Sequence, residues 1–182
     1  WDTMNGGDGD DIFYIDTEND AVIEAAEGGY DTVRATCTYG LTGNVERLQL
    51  QGTDGIDGTG NALANSLTGN SGNNHLYGLG GSDVLDGGLG DDVLTGGSGD
   101  DKYYVDSTGD TVVETSGGGN DTVRASVAFT LSTEVEALVL TGTGDLMGTG
   151  NTLNNATTGN VGNNMLMGAL ANDTIVGGDG NA

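Results

Sequence analysis

The chain has no proline, one cysteine and one histidine among its 182 residues, and only 4 Lys and Arg against 28 Asp and Glu. The lack of proline and of a Gly-X-Y period excludes a collagen-like chain, and a lone Cys37 excludes a disulfide scaffold. The net charge of −24 repels polyanions, so we expect neither a nucleic-acid partner nor binding to anionic membranes. No apolar run approaches the ~20 residues of a membrane span, so we expect no membrane insertion.

Glycine and aspartate dominate instead, with 36 glycines and 21 aspartates among the 28 acidic residues. Such a chain ordinarily stays disordered, because it cannot bury enough apolar area to offset its conformational entropy. Either this chain is disordered, or something cancels its charge. It begins with Trp1 and ends inside a turn-like segment, so we expect a fragment or a processed product.

The sequence matches itself without a gap after a shift of 90 residues. Residues 6–35 align with 96–125, and residues 45–53 align with 135–143. Repeats of this kind are modular structural units. We therefore divide the chain into two copies, 1–90 and 91–182, which we expect to form one continuous solenoid.

A period of nine residues runs inside each copy. Residues 69–104 read GNSGNNHLY, GLGGSDVLD, GGLGDDVLT and GGSGDDKYY, which follow G-G-x-G-x-D-x-U-x with U a large apolar residue. Further units lie at 6–14, 60–68, 150–158, 159–167 and 168–176, and weaker ones at 15–23 and 105–113.

Each nonapeptide predicts one turn and one short strand. Six residues rich in Gly, Asn and Asp favour a turn, since Gly reaches positive φ at little cost, and x-U-x favours a strand with U facing inward. Two units make an 18-residue coil, and stacked coils pair as parallel strands about 4.8 Å apart. A two-residue insertion near 28–30 must then be cancelled before Gly60 to keep the coils in phase.

The predicted core consists of two thin rows of U residues: Phe13, Val22, Leu67, Leu76, Leu85, Leu94, Tyr103 and Val112. Between the nonapeptide blocks, apolar residues alternate with polar ones over 33–41 and again over 123–131, which predicts a longer, half-buried strand. Cys37 lies in this pattern and is interpreted as a small buried hydrophobe.

The sixth residues of the units form two rows, because residues 18 apart stack. The first row contains Asp2, Asp20, Asn74, Asp92, Asp110 and Asn164. The second row contains Asp11, Asp31, Asn65, Asp83, Asp101, Asp121, Asn155 and Asp173. Carboxylates stacked about 5 Å apart repel one another, whereas Ca²⁺ takes ~6–8 oxygens from carboxylates and backbone carbonyls. The rows therefore predict several Ca²⁺ ions held between successive turns.

The predicted carboxylate pairs are Asp83/Asp101, Asp92/Asp110, Asp101/Asp121, Asp2/Asp20 and Asp11/Asp31, with Asp173 as a further ligand. Turn carbonyls are expected to come from Gly7, Gly9, Gly81, Gly88, Gly90, Gly97 and Gly99. The alternative is that the aspartates only favour turns and solubilise the surface, but their register favours metal. Asparagines can satisfy one another in a ladder, so we expect Asn65, Asn74, Asn155 and Asn164 to need no ion.

The four contiguous nonapeptides resemble the RTX, or haemolysin-type, calcium-binding repeat. The resemblance implies a bacterial protein exported by type I secretion, unfolded at low cytosolic Ca²⁺ and folded outside the cell. We therefore predict an all-β fold, a right-handed parallel β-roll or β-helix solenoid of about ten 18-residue coils, located extracellularly or on the bacterial cell surface.

Two roles remain open for such a module. The first is a structural repeat of a surface protein, adhesin or self-stacking filament, since open strand edges at both ends permit head-to-tail association. Alternatively, it is the C-terminal calcium-binding module of a secreted hydrolase or polysaccharide epimerase. We expect no catalysis by the chain itself, because its acidic pairs lack a histidine partner and a nucleophile.

Three other polar positions receive structural interpretations. The equivalent residues Arg34 and Arg124 lie on the polar side of a predicted strand, where we expect a salt bridge to a neighbouring aspartate. His75 is expected to be exposed to solvent and without a chemical role.

Overall fold

The computed structural model describes residues 1–180, and this part of the chain is all-β. The strands are β1 (Thr3–Asn5), β2 (Ile12–Ile15), β3 (Ala21–Ile23), β4 (Thr32–Ala35), β5 (Tyr39–Gly40), β6 (Arg47–Leu50), β7 (Gly58–Thr59), β8 (Ser66–Thr68), β9 (His75–Gly80), β10 (Val84–Asp86), β11 (Val93–Ser98), β12 (Lys102–Val105), β13 (Thr111–Val113), β14 (Thr122–Ala125), β15 (Phe129–Thr130), β16 (Ala137–Leu140), β17 (Met147–Thr149), β18 (Ala156–Thr158), β19 (Met165–Met167) and β20 (Thr174–Val176). No helix within 1–180 is long and apolar enough to cross a membrane.

The strands alternate between two faces of a parallel β-solenoid. The even-numbered strands form one 10-stranded sheet in the order β2-β4-β6-β8-β10-β12-β14-β16-β18-β20. The odd-numbered strands form three sheets, β1-β3, β5-β7-β9-β11-β13 and β15-β17-β19. Each coil contributes one strand to each face, which confirms the predicted all-β roll of about ten coils.

The strand register confirms that the insertion is cancelled. Thr32 pairs with Ile12, 20 residues away, but Arg47 pairs with Thr32 at a spacing of 15, and Ser66 with Arg47 at a spacing of 19. These three spacings together equal three coils of 18 residues. Beyond them the regular spacing of 18 returns, as in the pairing of Val84 with Ser66.

The core occupies the narrow space between the two faces, as predicted. All eight predicted U residues are buried: Phe13, Val22, Leu67, Leu76, Leu85, Leu94, Tyr103 and Val112. We call the coils with irregular strand spacing, which contain β4 and β6 in the first copy and β14 and β16 in the second, the insertion coils. They add the buried residues Val33, Leu48 and Val123 to the same cluster. Inward-facing apolar side chains of the short strands therefore form one core cluster.

The prediction of one longer strand over 33–41 is wrong. β4 ends at Ala35 and β5 begins at Tyr39, so the chain turns a corner between them and passes to the opposite face. The alternation survives because both strands face the same core. Cys37 lies at this corner, is half-buried rather than buried, and packs against the core; burial is the main cause that raises the pKa of its thiol.

Candidate metal centre

The structure places the five predicted aspartate pairs in register, one coil apart. In each pair, Oδ1 of the later aspartate accepts a hydrogen bond from the backbone N–H of the earlier one. The N···O distances are 2.9 Å for Asp2/Asp20, 2.8 Å for Asp11/Asp31, 2.7 Å for Asp83/Asp101, 2.9 Å for Asp92/Asp110 and 2.8 Å for Asp101/Asp121. One carboxylate oxygen of the later residue therefore joins neighbouring coils.

The second carboxylate oxygen is unpartnered at most of these positions. Within residues 1–180, buried Oδ2 atoms without a hydrogen-bond donor belong to Asp11, Asp31, Asp83, Asp92, Asp101 and Asp121. Asp31 and Asp92 are 0% exposed, and Asp83 is 1% exposed. A buried carboxylate oxygen without a donor or a cation is costly, because it has lost its hydration and gained nothing in exchange.

Burial raises the pKa of Asp83, Asp92, Asp101 and Asp121 in the protein without metal. The pKa of Asp83 rises to about 7, and the pKa values of Asp92, Asp101 and Asp121 rise to about 6. In all four, loss of hydration is the main cause, and the hydrogen bond from a backbone N–H opposes it. These groups either hold protons or need a compensating cation.

The protein supplies almost no cation to them. Across the described residues the one ion pair joins the Trp1 amine to Asp20 Oδ1 at 3.7 Å. The four Lys and Arg residues all belong to strands of the 10-stranded sheet, and none of them forms an ion pair within residues 1–180: Arg34, Arg47, Lys102 and Arg124. The buried acidic groups are therefore left for an external cation.

Asp20 and Asp110 differ from the other predicted ligands, because both of their carboxylate oxygens are occupied. Asp110 Oδ2 accepts hydrogen bonds from the backbone N–H groups of Asp106 and Ser107, both at 3.0 Å. Asp20 accepts from Thr17, and the N–H of Asp2 is the main cause that lowers its pKa. Both carboxylates close their own turn as well as joining two coils.

The asparagines satisfy their hydrogen bonds locally rather than in a ladder. Asn65 Oδ1 accepts from the N–H of Asn61 at 2.7 Å, and its Nδ2 donates to the carbonyl of Val45 at 3.1 Å. Asn155 repeats these contacts with Asn151 and Val135, at 2.7 and 3.1 Å. Asn74 repeats the pattern with Asn70 and Ile56, whereas Asn164 accepts from the Asn160 N–H and donates its Nδ2 to Asn160 Oδ1 in the same turn. The predicted side-chain ladder is wrong, because these amides bond to their own turns and, in three of the four, to a backbone carbonyl of the preceding coil.

The predicted turn glycines all adopt positive φ, between 79° and 133°: Gly7, Gly9, Gly81, Gly88, Gly90, Gly97 and Gly99. A side chain at Gly97 or Gly99 would also collide with a backbone carbonyl of the preceding coil. These residues are glycine because the turn and the close stacking of coils both require it.

Sequence reasoning missed the first glycine of each unit. A Cβ on Gly78 would collide with Asp83 Oδ2, and a Cβ on Gly87 would collide with Asp92 Oδ2. The unpartnered oxygen thus points into a space that only a glycine leaves open. The signal was the leading G of the nonapeptide itself, which was attributed to turn formation alone.

Sequence reasoning also missed two glutamates. Asp11, Glu24 and Asp31 each offer a ligand atom within 4.8 Å of the others, and Asp101, Glu114 and Asp121 form the same group in the second copy. Glu24 and Glu114 are 90 residues apart and thus equivalent. The 90-residue repeat makes this equivalence visible in the sequence. Both glutamates, however, lie in the insertion coils, outside the nonapeptide units.

Two interpretations of single residues need correction. Arg34 makes no salt bridge among residues 1–180; its Nε donates to Gln49 Oε1 at 3.1 Å, and its guanidinium lies 5.8 Å from the ring centre of Tyr14. Arg124 likewise makes no salt bridge within the described residues, and its guanidinium lies 6.0 Å from the ring centre of Tyr104. His75 is half-buried rather than exposed, with its ring 4.9 Å from that of Tyr77.

Comparison with known proteins agrees with this geometry. The family model of the RTX calcium-binding nonapeptide repeat (4 copies) matches residues 2–22, 59–94, 78–112 and 158–181, which together cover more than half of the chain. The endo-1,3-1,4-beta-glycanase EglC of Rhizobium meliloti (strain 1021) is 36% identical over 66 residues, which are 36% of this chain but 14% of the relative. The chain thus spans a small part of that relative's length. No solved structure matches it.

Proposed function

Since the chain belongs to the family of RTX calcium-binding nonapeptide repeats, we propose that it is a secreted module that folds by binding several Ca²⁺ ions. Proteins with these repeats are typically extracellular, where Ca²⁺ is abundant. In this proposal the chain itself performs no catalysis. The two copies, 1–90 and 91–182, act as one calcium-dependent unit because a single 10-stranded sheet runs through both.

The observation that carries the proposal is the set of buried, unpartnered Oδ2 atoms. Asp83, Asp92 and Asp101 each direct one such atom into the turn region. Each of these residues is at most 2% exposed. No Lys or Arg forms an ion pair with these carboxylates within the described residues. All-oxygen donor sets with flexible geometry suit Ca²⁺, whereas Zn²⁺ prefers nitrogen and sulfur.

The proposed ligands are the carboxylates of the two rows and carbonyls of the glycine turns. The carboxylates are Asp2, Asp11, Asp20, Asp31, Asp83, Asp92, Asp101, Asp110, Asp121 and Asp173. The carbonyls are those of Gly7, Gly9, Gly81, Gly88, Gly90, Gly97 and Gly99. Within this set the free oxygens of Asp83, Asp92 and Asp101 are the strongest candidates, while Asp20 and Asp110 bind only if they release contacts with their own turns.

Calcium binding and folding are coupled because the site does not exist in an unfolded chain. Binding free energy then contributes directly to folding. The metal-free protein has a thin core and buried, mutually repelling carboxylates, so its fold is weak without the ion. Sites of extracellular modules have Kd values of ~10⁻⁴–10⁻³ M, so the coupling acts at the calcium level outside a cell.

Two parent proteins are consistent with this module. The near-equal copies favour a structural repeat of a surface protein, adhesin or filament, in which terminal strands such as β20, with Ile175 48% exposed, stack on a neighbour. The partial similarity to a glycanase favours the alternative, a module appended to a secreted polysaccharide-acting enzyme. The parent reading frame distinguishes them: an upstream catalytic domain supports the second, and many further 90-residue copies support the first.

Circular dichroism during a Ca²⁺ titration tests the proposal. We expect a weakly folded chain with low β-content in chelator and a cooperative gain of β-structure as Ca²⁺ rises, with little response to the same concentrations of Mg²⁺, which demands a more rigid octahedral site. Equal β-content in chelator and in Ca²⁺ would contradict calcium-coupled folding.

A further inference from the structure

In each copy, three acidic side chains from two successive coils converge. Glu24 directly follows β3, Asp31 directly precedes β4, and Asp11 directly precedes β2. Their ligand atoms all lie within 4.8 Å of one another. Glu24 and Glu114 do not belong to a nonapeptide, so the repeat pattern does not account for these two groups.

Two of the three carboxylates in the first group, Glu24 and Asp31, each use one oxygen to accept hydrogen bonds from backbone N–H groups. Glu24 Oε1 accepts from the N–H groups of Gly7 at 3.1 Å and Ala25 at 3.0 Å. Asp31 Oδ1 accepts from the N–H of Asp11 at 2.8 Å. The backbone therefore fixes the orientation of these carboxylates before any ion arrives.

The remaining oxygens point into one shared space. Glu24 Oε2, Asp11 Oδ2 and Asp31 Oδ2 are buried and have no hydrogen-bond donor within 1–180. A Cβ on Gly6 would collide with both Glu24 Oε2 and Asp11 Oδ2, so the two oxygens converge above that glycine. In the second copy, a Cβ on Gly96 would collide with Asp101 Oδ2 and would lie 2.7 Å from Glu114 Oε1.

The burial of these groups requires either a counter-ion or protonation. Asp31 is 0% exposed and Glu24 is 8% exposed, while in the second copy Asp121 is 1% exposed. Three carboxylates this close cannot all remain ionised in a buried position without a cation, and no Lys or Arg pairs with them in the described part of the chain. The donor set contains only oxygen, which suits Ca²⁺ and not a transition metal.

We propose that Asp11–Glu24–Asp31 and Asp101–Glu114–Asp121 each bind one Ca²⁺ through three carboxylates, with Glu24 and Glu114 as ligands. The identity of the ion rests on the proposed function. A third carboxylate raises the affinity above that of the two-carboxylate pairs, since ligand charge tunes calcium affinity. These two sites fill first as Ca²⁺ rises.

The position of the sites gives them a mechanical role. β3 and β5 belong to different sheets, as do β13 and β15, so strand pairing on the odd-numbered face is interrupted within each insertion coil. The ion lies beside this interruption and links the connection after β3 to the starts of β2 and β4. It thus replaces some of the cohesion that continuous strand pairing supplies elsewhere.

The test is the number of Ca²⁺ ions bound by the full chain at low free Ca²⁺, measured by equilibrium dialysis. We compare the wild type with the double variant Glu24→Gln/Glu114→Gln. The matched control is Glu18→Gln/Glu27→Gln, which removes the same charge from exposed positions. We expect the site variant to lose two ions from the tightest class, or to bind them about tenfold more weakly, and the control to retain them.

The outcomes separate this inference from the proposed function. If the site variant still gains β-structure with Ca²⁺ but binds two fewer ions, both stand. Unchanged stoichiometry and affinity in a variant that folds would overturn the glutamate sites alone. If no protein, including the wild type, binds Ca²⁺, the proposed function fails. Glu24→Ala and Glu114→Ala, tested singly, show whether a neutral Gln oxygen had substituted as a ligand.

Discussion

The backbone N–H of Asp83 donates to Oδ1 of Asp101 at 2.7 Å, while Oδ2 of Asp101 is buried without a donor in residues 1–180. One carboxylate thus joins two coils through its first oxygen and presents the second to a cation. The same division applies to Asp121, whose Oδ1 accepts from Asp101 at 2.8 Å. Strand stacking therefore orients the proposed ligands, and metal binding in turn stabilises the stacking.

The substitution Asp101→Asn separates these two roles. The amide Oδ1 retains the hydrogen bond from Asp83, but the negative charge on the second oxygen disappears. We expect a several-fold higher Ca²⁺ midpoint for folding, since one charged ligand is lost. In chelator, we expect the variant to be no less stable than the wild type, since a buried charge has been removed. Circular dichroism during Ca²⁺ titration measures the midpoint.

The matched control is Asp100→Asn, which removes the same charge from an exposed neighbour. Exposed charges contribute little, so its midpoint is expected to stay near that of the wild type. Equal shifts in both variants would mean that overall charge, and not a specific ligand, determines the calcium dependence.

The raised pKa values predict opposite pH responses with and without calcium. In the folded, metal-free protein the pKa of Asp83 is about 7 and that of Asp101 about 6, against an ordinary value of 3.8. Protonation therefore favours the fold: this contribution is complete below pH 3.8 and is lost as the pH rises through 6 to 7. In chelator, we expect urea unfolding to require more urea near pH 5 than near pH 8.

With Ca²⁺ present the trend reverses, because ions and protons compete for the same oxygens. We expect the Ca²⁺ affinity to increase from about pH 5 to about pH 8, with protons released on binding. Asp83→Asn removes the carboxyl whose pKa is raised to about 7 and should flatten the metal-free profile. A metal-free unfolding free energy that rises with pH would refute the assignment.

Replacing a buried asparagine of the two rows by aspartate is expected to lower the stability of the fold. Asn65 Nδ2 donates to the carbonyl of Val45, so Asn65→Asp would place a carboxylate against a carbonyl oxygen. We expect a loss of about 1–3 kcal/mol in chelator, the cost of an unsatisfied buried group, measured by urea unfolding. Asn73→Asp is the control, since Asn73 is exposed and its Oδ1 accepts from the Asp91 N–H, a role that a carboxylate keeps. An equal loss in both variants would contradict the local argument.

The regular coils could be predicted from the sequence because nine-residue periodicity determines which side chain faces inward. Leu76, Leu85 and Leu94 are buried where that period places them, and Asp83 and Asp101 meet for the same reason. The period contains no information about which carboxylate oxygen is free. In both Asp110 and Asp101, Oδ1 accepts from the preceding coil. The local turn then occupies Oδ2 of Asp110 but leaves Oδ2 of Asp101 free.

The insertion coils were predicted less well, because the period breaks there. The return of the repeat at Gly60 indicated that the coils stay in rotational phase. The corner at Cys37 and the proposed glutamate ligands could not be inferred in this way. Glu24 reaches its partners through a connection whose path depends on tertiary packing. Comparison of the two copies, which both have Glu at this position, was the one sequence signal available.

One difference between the two copies, a single hydroxyl group, lies beside the proposed glutamate sites and predicts unequal Ca²⁺ affinities. The hydroxyl of Tyr103 donates to Glu114 Oε1, whereas the equivalent residue in the first copy is Phe13. Burial is the main cause that raises the pKa of Tyr103, so its hydroxyl stays protonated and available as a donor. Without metal, this bond stabilises the second site.

An ion entering the second site must displace that hydrogen bond, which the first site lacks. We therefore expect Tyr103→Phe to lower the stability in chelator by about 1.5–3 kcal/mol, the range for a hydrogen bond to a charged group, and to raise the Ca²⁺ affinity of the second site. Phe13→Tyr is the reciprocal variant and should weaken the first site. Urea unfolding in chelator and dialysis at low Ca²⁺ measure the two effects. Weaker Ca²⁺ binding in Tyr103→Phe would contradict this prediction. It would show that the Tyr103 hydroxyl oxygen is a ligand of the ion, because removing a ligand weakens binding whereas removing a competing hydrogen bond strengthens it.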